Sequence, residues 1–249
     1  MKSSSLKKWL FRGMVASVFA LILLIGFMLN PSLSYAKHST IEGVEVYHDQ
    51  SLDPALKDII KASKARIKAS VLYSDQLKFQ VCLKDGSIYP HAIESILGDD
   101  VIRSFSNINV VQAETDPTHQ YLTWRGHVFR YDQFLAHVMV HNLQFQHHGL
   151  WDSNPLGGYP EWKWEGYADY VVLGLKYELT ELCEAYTATP DDPFTFVKLR
   201  EEEGSLKLHI RFLILTKYCL DTKNLTYQEF MEKEMDEGKL WEEIFEHIK

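Results

Sequence analysis

The sequence predicts an α+β fold, in which a small mixed sheet packs on one histidine-bearing helix and a helical half follows. Three observations carry this expectation. Period-two alternation is confined to short segments before residue 131, helical spacing dominates after it, and Gly and Pro cluster between the two central helices.

Taken in order, residues 1–36 read as a targeting segment. Lys2, Lys7, Lys8 and Arg12 make a basic start, residues 14–29 are almost wholly apolar, and Pro31 breaks the run. Ser34-Tyr35-Ala36 fits a small-x-small pattern, so residues 1–36 are expected to be a signal peptide cut after Ala36. The alternative is an uncleaved anchor, because 16 apolar residues approach the roughly 20 that span a bilayer. No cysteine lies near the cut to accept a lipid. Either way, residues 37–249 form one domain expected outside the cytoplasm, periplasmic or secreted. It contacts a membrane only if residues 14–29 stay attached.

Leu56, Ile59, Ile60 and Ile67 recur at helical spacing and predict a helix over 52–70, with Asp53 as N-cap and Pro54 in its first turn. Residues 77–83 alternate, with Leu77, Phe79, Val81 and Leu83 on one side, and predict a strand. Asp85-Gly86 makes a turn, and residues 108–111 form a second short strand. Residues 121–131, centred on Arg125-Gly126, form a further strand or a tight hairpin, expected to join the same sheet as 77–83. Asp132 caps a helix over 133–148 that Gly149 ends. Pro155, Gly157, Gly158 and Pro160 make a loop, and helices follow over 161–176, 206–220 and 227–248.

Composition narrows the function. A chain of 249 residues, 46% hydrophobic, is long enough for one substantial core. Its formal charge of −8, with no Lys/Arg stripe beyond the N-terminus, gives no footprint for nucleic acid. Nothing repeats, and no stretch is of low complexity. Cys82, Cys183 and Cys219 are odd in number, so one disulfide leaves one thiol over. Cys183 and Cys219 share the helical half and are the pair to consider; buried free thiols are the other reading. No Cys-x-x-Cys spacing exists.

The chemistry concentrates between residues 134 and 170. His137 and His141 are four apart, so a helix stacks them one turn apart on one face, within reach of one metal ion. Glu165 lies 24 residues beyond His141 and offers a carboxylate from the next helix. Asp169 follows Glu165 at i+4, where it can accept a hydrogen bond from a ligand histidine and hold its tautomer. Imidazole and carboxylate suit zinc, so the expected cofactor is zinc on His137, His141 and Glu165. By itself a histidine pair at this spacing is better explained by two polar residues on a helix face. The residues downstream tip that balance. His147 and His148 read as a solvated helix end, Glu201-Glu202-Glu203 as a solvated loop or helix start, and Trp162, Trp164, Tyr167 and Tyr170 as core.

Residues 162–171, Trp-Lys-Trp-Glu-Gly-Tyr-Ala-Asp-Tyr-Val, together with His137-Val138-Met139-Val140-His141, resemble the two metal-site motifs of the gluzincin zinc metallopeptidases, and of the small bacterial peptidase MA-like domains in particular. The resemblance implies a zincin-type ligand helix and a similarity covering most of residues 44–248, with motif content in about 35 residues. It also implies an edge strand that takes extended peptide by strand addition, a role that falls on residues 123–131. The departure is at Val138. The family's H-E-x-x-H places its general base there, and valine takes no proton from water. Loss of such a base costs about 100- to 10,000-fold. Glu161, His147, His148 and Asp152 offer no convincing substitute, so no catalytic residue is assigned. The expectation is an exported metallopeptidase-like domain with impaired catalysis that binds a peptide or protein, or regulates one. The alternatives are an active zinc peptidase using an unusual base and a metal-free structural domain.

Overall fold

In the computed structural model, which describes residues 3–154 and 156–247, the first element is a long helix, α1 (Ser3–Met28). Its stretch Trp9–Met28 is long and apolar enough to cross a membrane, by length and composition. A short 3-10 turn, Pro31–Leu33, then leads into the main sheet.

That sheet has five strands. β1 (Lys37–Ile41) and β2 (Val44–His48) form a hairpin, followed across the sheet by β3 (Gln80–Cys82), β5 (Ile108–Val111) and β4 (Ile102–Phe105). Both hairpin turn residues, Glu42 and Gly43, have positive φ, as a two-residue turn matched to strand twist requires. β2, β3 and β5 run parallel, and the two outer pairs are antiparallel. The parallel pairings need crossovers, supplied by α2 (Leu56–Ile67) and α3 (Ile88–Leu97). All four residues of β5 are buried, because both sheet faces are covered. Ile108 and Val110 join a core with Cys82, Tyr89 and Ile93 on the α3 side. Val111 and Val81 face the main core with α2.

Several boundaries differ from expectation. The helix expected over 52–70 is four residues late: Asp53 accepts the Ala55 N–H at 2.8 Å, forming a turn that precedes α2. The strand expected over 77–83 pairs only at Gln80–Cys82. Helix α3 escaped the sequence reading, although Ser87 caps it by accepting the Tyr89 N–H at 3.2 Å. The expectation that residues 77–83 and 121–131 share a sheet is overturned. β7 (Tyr121–Trp124) and β8 (His127–Arg130) form the tight hairpin, turning at Arg125 and Gly126 with φ of 49° and 81°, and add β6 (Glu114–Asp116) to make a separate antiparallel sheet. The segment assigned to strand addition is therefore the edge of this minor sheet. The edge of the main sheet against the central helix is β4.

The central helix, α4 (Tyr131–Asp152), is buried around its whole circumference from Tyr131 to Gln144, so it is a core helix rather than an amphipathic surface one. Gly149, at φ 77° and ψ 177°, breaks it as expected. Asp132 is not its cap. Arg130 occupies that position, and the Asp132 carboxylate accepts from Arg130 Nε at 2.9 Å and Arg66 Nη2 at 2.8 Å. Arg66 also pairs with Glu203 at 2.7 Å, and Glu203 is wholly buried rather than solvated, with Lys176 and Tyr177 as further partners. Buried carboxylates need such partners, and here they tie α2, α4 and the residue-203 loop together.

α5 (Glu161–Asp169) runs on into one π turn, Tyr170–Gly174. α6 (Leu179–Ala188) and a ribbon of β9 (Phe196–Lys198) and β10 (Gly204–Leu206) lead to α7 (Lys207–Lys217). The helix expected over 227–248 is two, α8 (Tyr227–Glu232) and α9 (Glu237–His247), the first opened by a capping box of Thr226 and Glu229. All three cysteines are buried free thiols, so Cys183 and Cys219 are not bridged, and burial pushes both up to about 11.

α5 and α7 meet closely at Gly166. A Cβ there would lie 2.3 Å from Thr216 Oγ1 and 2.6 Å from the Phe212 carbonyl oxygen, and the second of these is backbone that cannot rotate away. Gly166→Ala should therefore lower stability by about 1–3 kcal/mol despite alanine's better helix propensity. Urea unfolding checks this; an unchanged or raised midpoint would contradict it.

Candidate metal centre

The burial of α4 sets the problem its histidines must solve. His137 and His141 lie on a helix otherwise sunk in apolar side chains, so each ring nitrogen needs a partner. α5 supplies them. Glu165 Oε2 lies 3.1 Å from His137 Nε2 and 3.2 Å from His141 Nε2, and the two Nε2 atoms are 3.0 Å apart. Asp169 Oδ1 accepts from His137 Nδ1 at 2.9 Å. The structure thus brings together the four residues singled out from sequence: His137, His141, Glu165 and Asp169.

The opposite nitrogens define the tautomers. His137 Nδ1 faces a carboxylate, which only accepts, so that nitrogen carries the hydrogen. His141 Nδ1 lies 2.8 Å from Gln144 Oε1, and the Gln144 amide is oriented by its own Nε2 donating to the Trp164 carbonyl at 3.1 Å. With Nδ1 protonated in both rings, neutral imidazoles present two Nε2 lone pairs to each other and to the Glu165 carboxylate. Three acceptors within about 3 Å need a positive charge among them, either a proton or a metal ion.

Electrostatics at the centre agree. Burial works against a charged His137, but Asp169 and Glu165 overcome it and hold the imidazolium up to about 10. Burial also opposes ionised Glu165, yet His141 and His137 keep it well below the usual carboxylate range. Asp169 is lowered likewise, against burial, by His137 and His209. A metal ion at this centre competes with the proton on His137, and binding releases it.

Comparison with protein-family models and with curated proteins finds no match.

A third histidine, His209 of α7, was missed from sequence. Its Nδ1 lies 3.0 Å from Asp169 Oδ2, so one carboxylate holds two imidazoles. His209 is 40 residues from Asp169 and carries no local spacing signal. Ligand atoms of His137, Glu165 and His209 all lie within 4.8 Å of one another, and the group is able to hold a metal ion. The Trp164 ring stacks parallel to the His141 ring at 6.1 Å, so this core tryptophan is also a wall of the centre.

Val138 is buried in the main apolar core. Of the groups considered as substitute bases, Glu161 is exposed at the start of α5, and His147 is exposed at the far end of α4. His148 is not a solvated end: it is half-buried against Tyr159, Trp164 and Tyr227, with burial lowering its basicity. Asp100, just before β4, was not anticipated. Burial raises its pKa, opposed by Arg103 at 3.3 Å and by the Val101 N–H, and Glu165 adds a smaller rise.

Proposed function

We propose that this protein is an exported, membrane-anchored metallopeptidase-like domain that holds zinc on His137, His141 and Glu165 and has little or no hydrolytic activity. Its role on this reading is to bind a peptide or protein, or to regulate one. The observation that carries the reading is the convergence of the His137 and His141 Nε2 atoms on the half-buried Glu165 carboxylate, with a valine where the gluzincin-like motif would place its base. A zinc ion held by His137, His141 and Glu165 would supply Lewis acidity to the centre. Around it, Asp169 and Gln144 orient the imidazoles, Trp164 shields His141, and no carboxylate on α4 stands ready to take a proton from water. Elemental analysis of the purified chain beside a generic peptidase assay tests this. About one zinc per chain with negligible turnover is expected, and a metal-free protein or chelator-sensitive proteolysis would overturn it.

The anchor is supported by the residues around the expected cut. Pro31 and Tyr35 are buried, and Tyr35 packs with Tyr89 at 5.9 Å and donates to the Leu83 carbonyl at 2.8 Å. Ser87 donates to the Ser34 carbonyl at 3.1 Å, Tyr89 donates to the Met28 carbonyl, and Phe27 packs on Tyr89. A cut after Ala36 would strip Tyr35 from the second core. Intact mass of the protein taken from membranes should therefore include residues 14–36; a chain starting at Lys37 would refute retention.

A further inference from the structure

We propose that His209 is a fourth protein ligand, so that the centre is a closed three-histidine, one-carboxylate metal site that clamps α4, α5 and α7 together. The inference rests on the metal-binding reading above and goes beyond it, since it removes the open position that hydrolysis needs.

Asp169 is the key. It is almost fully buried, and its two oxygens are divided between His137 Nδ1 at 2.9 Å and His209 Nδ1 at 3.0 Å. A carboxylate accepts only, so both histidines carry their hydrogen on Nδ1 and both keep the Nε2 lone pair free. Gln144 does the same for His141. Three imidazoles from two helices are thereby held in one tautomer, the one that ligates through Nε2. Histidines that ligate a metal are held in this way, with the other ring N–H donating to a carboxylate or carbonyl oxygen.

Distance agrees with the donor set. Zinc takes imidazole nitrogen at about 2.0–2.1 Å, so two donors on one ion stand no more than about 4.2 Å apart. His137, His141 and Glu165 already satisfy this at 3.0–3.2 Å. Ligand atoms of His209, His137 and Glu165 lie within 4.8 Å of one another, so His209 has to swing inward to share one ion with His137 and His141. Structural zinc sites use four protein ligands, whereas catalytic ones keep three and an open position. A fourth nitrogen at the centre and a valine at the base position point the same way: a metal that braces the helical half. The Gly166 contact that draws α5 onto α7 is what brings His209 within range.

Cobalt(II) replacement of the metal in the full-length protein tests this with a readout independent of turnover. The absorption spectrum of the unmodified protein should be of the four-coordinate type and unmoved by azide, because no position is open. His209→Ala should still bind one cobalt, at least about 100-fold more weakly, and its spectrum should shift on adding azide. Asp169→Asn separates ligation from positioning: it should weaken binding about 10- to 100-fold while the spectrum stays blind to azide. An azide shift in the unmodified protein, or unchanged affinity in His209→Ala, would overturn the fourth-ligand assignment while leaving the metal site itself standing. No cobalt or zinc bound to any form would overturn both readings at once.

Discussion

Replacing His137 by alanine should cut metal affinity about 100- to 1,000-fold. Apparent binding energies of about 10–16 kcal/mol for structural zinc are shared among four donors, so one ligand represents about 2.5–4 kcal/mol. His137 also does more than ligate. It is the partner of Asp169 Oδ1 at 2.9 Å and of Glu165 at 3.1 Å, so its loss leaves the buried Asp169 and the half-buried Glu165 short of a positive neighbour. That adds a destabilising term, and a buried ion robbed of its partner costs several kcal/mol when unrelieved. The substituted protein should therefore also unfold at lower urea concentration. Competition with a zinc chelator of known affinity reads the first effect. His147→Ala, at an exposed position of the same helix, is the control and should change neither. Equal losses in the two variants would mean that the measured metal is bound elsewhere.

What was legible in the sequence is what local spacing encodes. His137 and His141 stack because a helix returns every fourth residue to one face, and Glu165 and Asp169 do so for the same reason. The Gly/Pro loop between them is enough to fold α5 back on α4. His209 was invisible because it reaches the centre through packing of α5 against α7, a long-range contact set by Gly166 and not by any spacing within α7. The sheet was read poorly for a related reason. Its paired segments are three to five residues long, and β3 and β5 are buried on both faces, so the alternation that marks a half-buried strand is weak or absent. Residues 121–131 do alternate, but alternation does not say which sheet a hairpin joins. Charged residues misled in the opposite direction. Glu203 reads as one of a solvated acidic run, yet Arg66, 137 positions away, draws it into the core. The same arginine takes Asp132 away from capping α4.

Val138→Glu combined with His209→Ala, which opens a coordination position, should turn the centre towards hydrolysis, raising zinc-dependent peptide cleavage about 100- to 10,000-fold over the unmodified protein. Val138 follows His137 directly on α4, and glutamate is the better helix former of the two, so the helix itself tolerates the change. The cost comes from burial. Val138 is 3% exposed and belongs to the apolar core, so the new carboxylate is stable only if it reaches the polar centre. A lowered urea midpoint is accordingly expected, with the fold retained. Val138→Gln supplies the matching control: it has similar size and polarity but no basic carboxylate, and it should stay at the unmodified rate. If His209 closes the coordination sphere, Val138→Glu alone will fall short of the range, and Val138→Glu with His209→Ala will reach it, because water then has a position to occupy. A folded, zinc-loaded double variant with no gain in chelator-sensitive cleavage would show that the missing base is not what keeps this centre from hydrolysis. Equal gains in the Glu and Gln variants would assign the effect to polarity at the cavity wall instead of proton transfer.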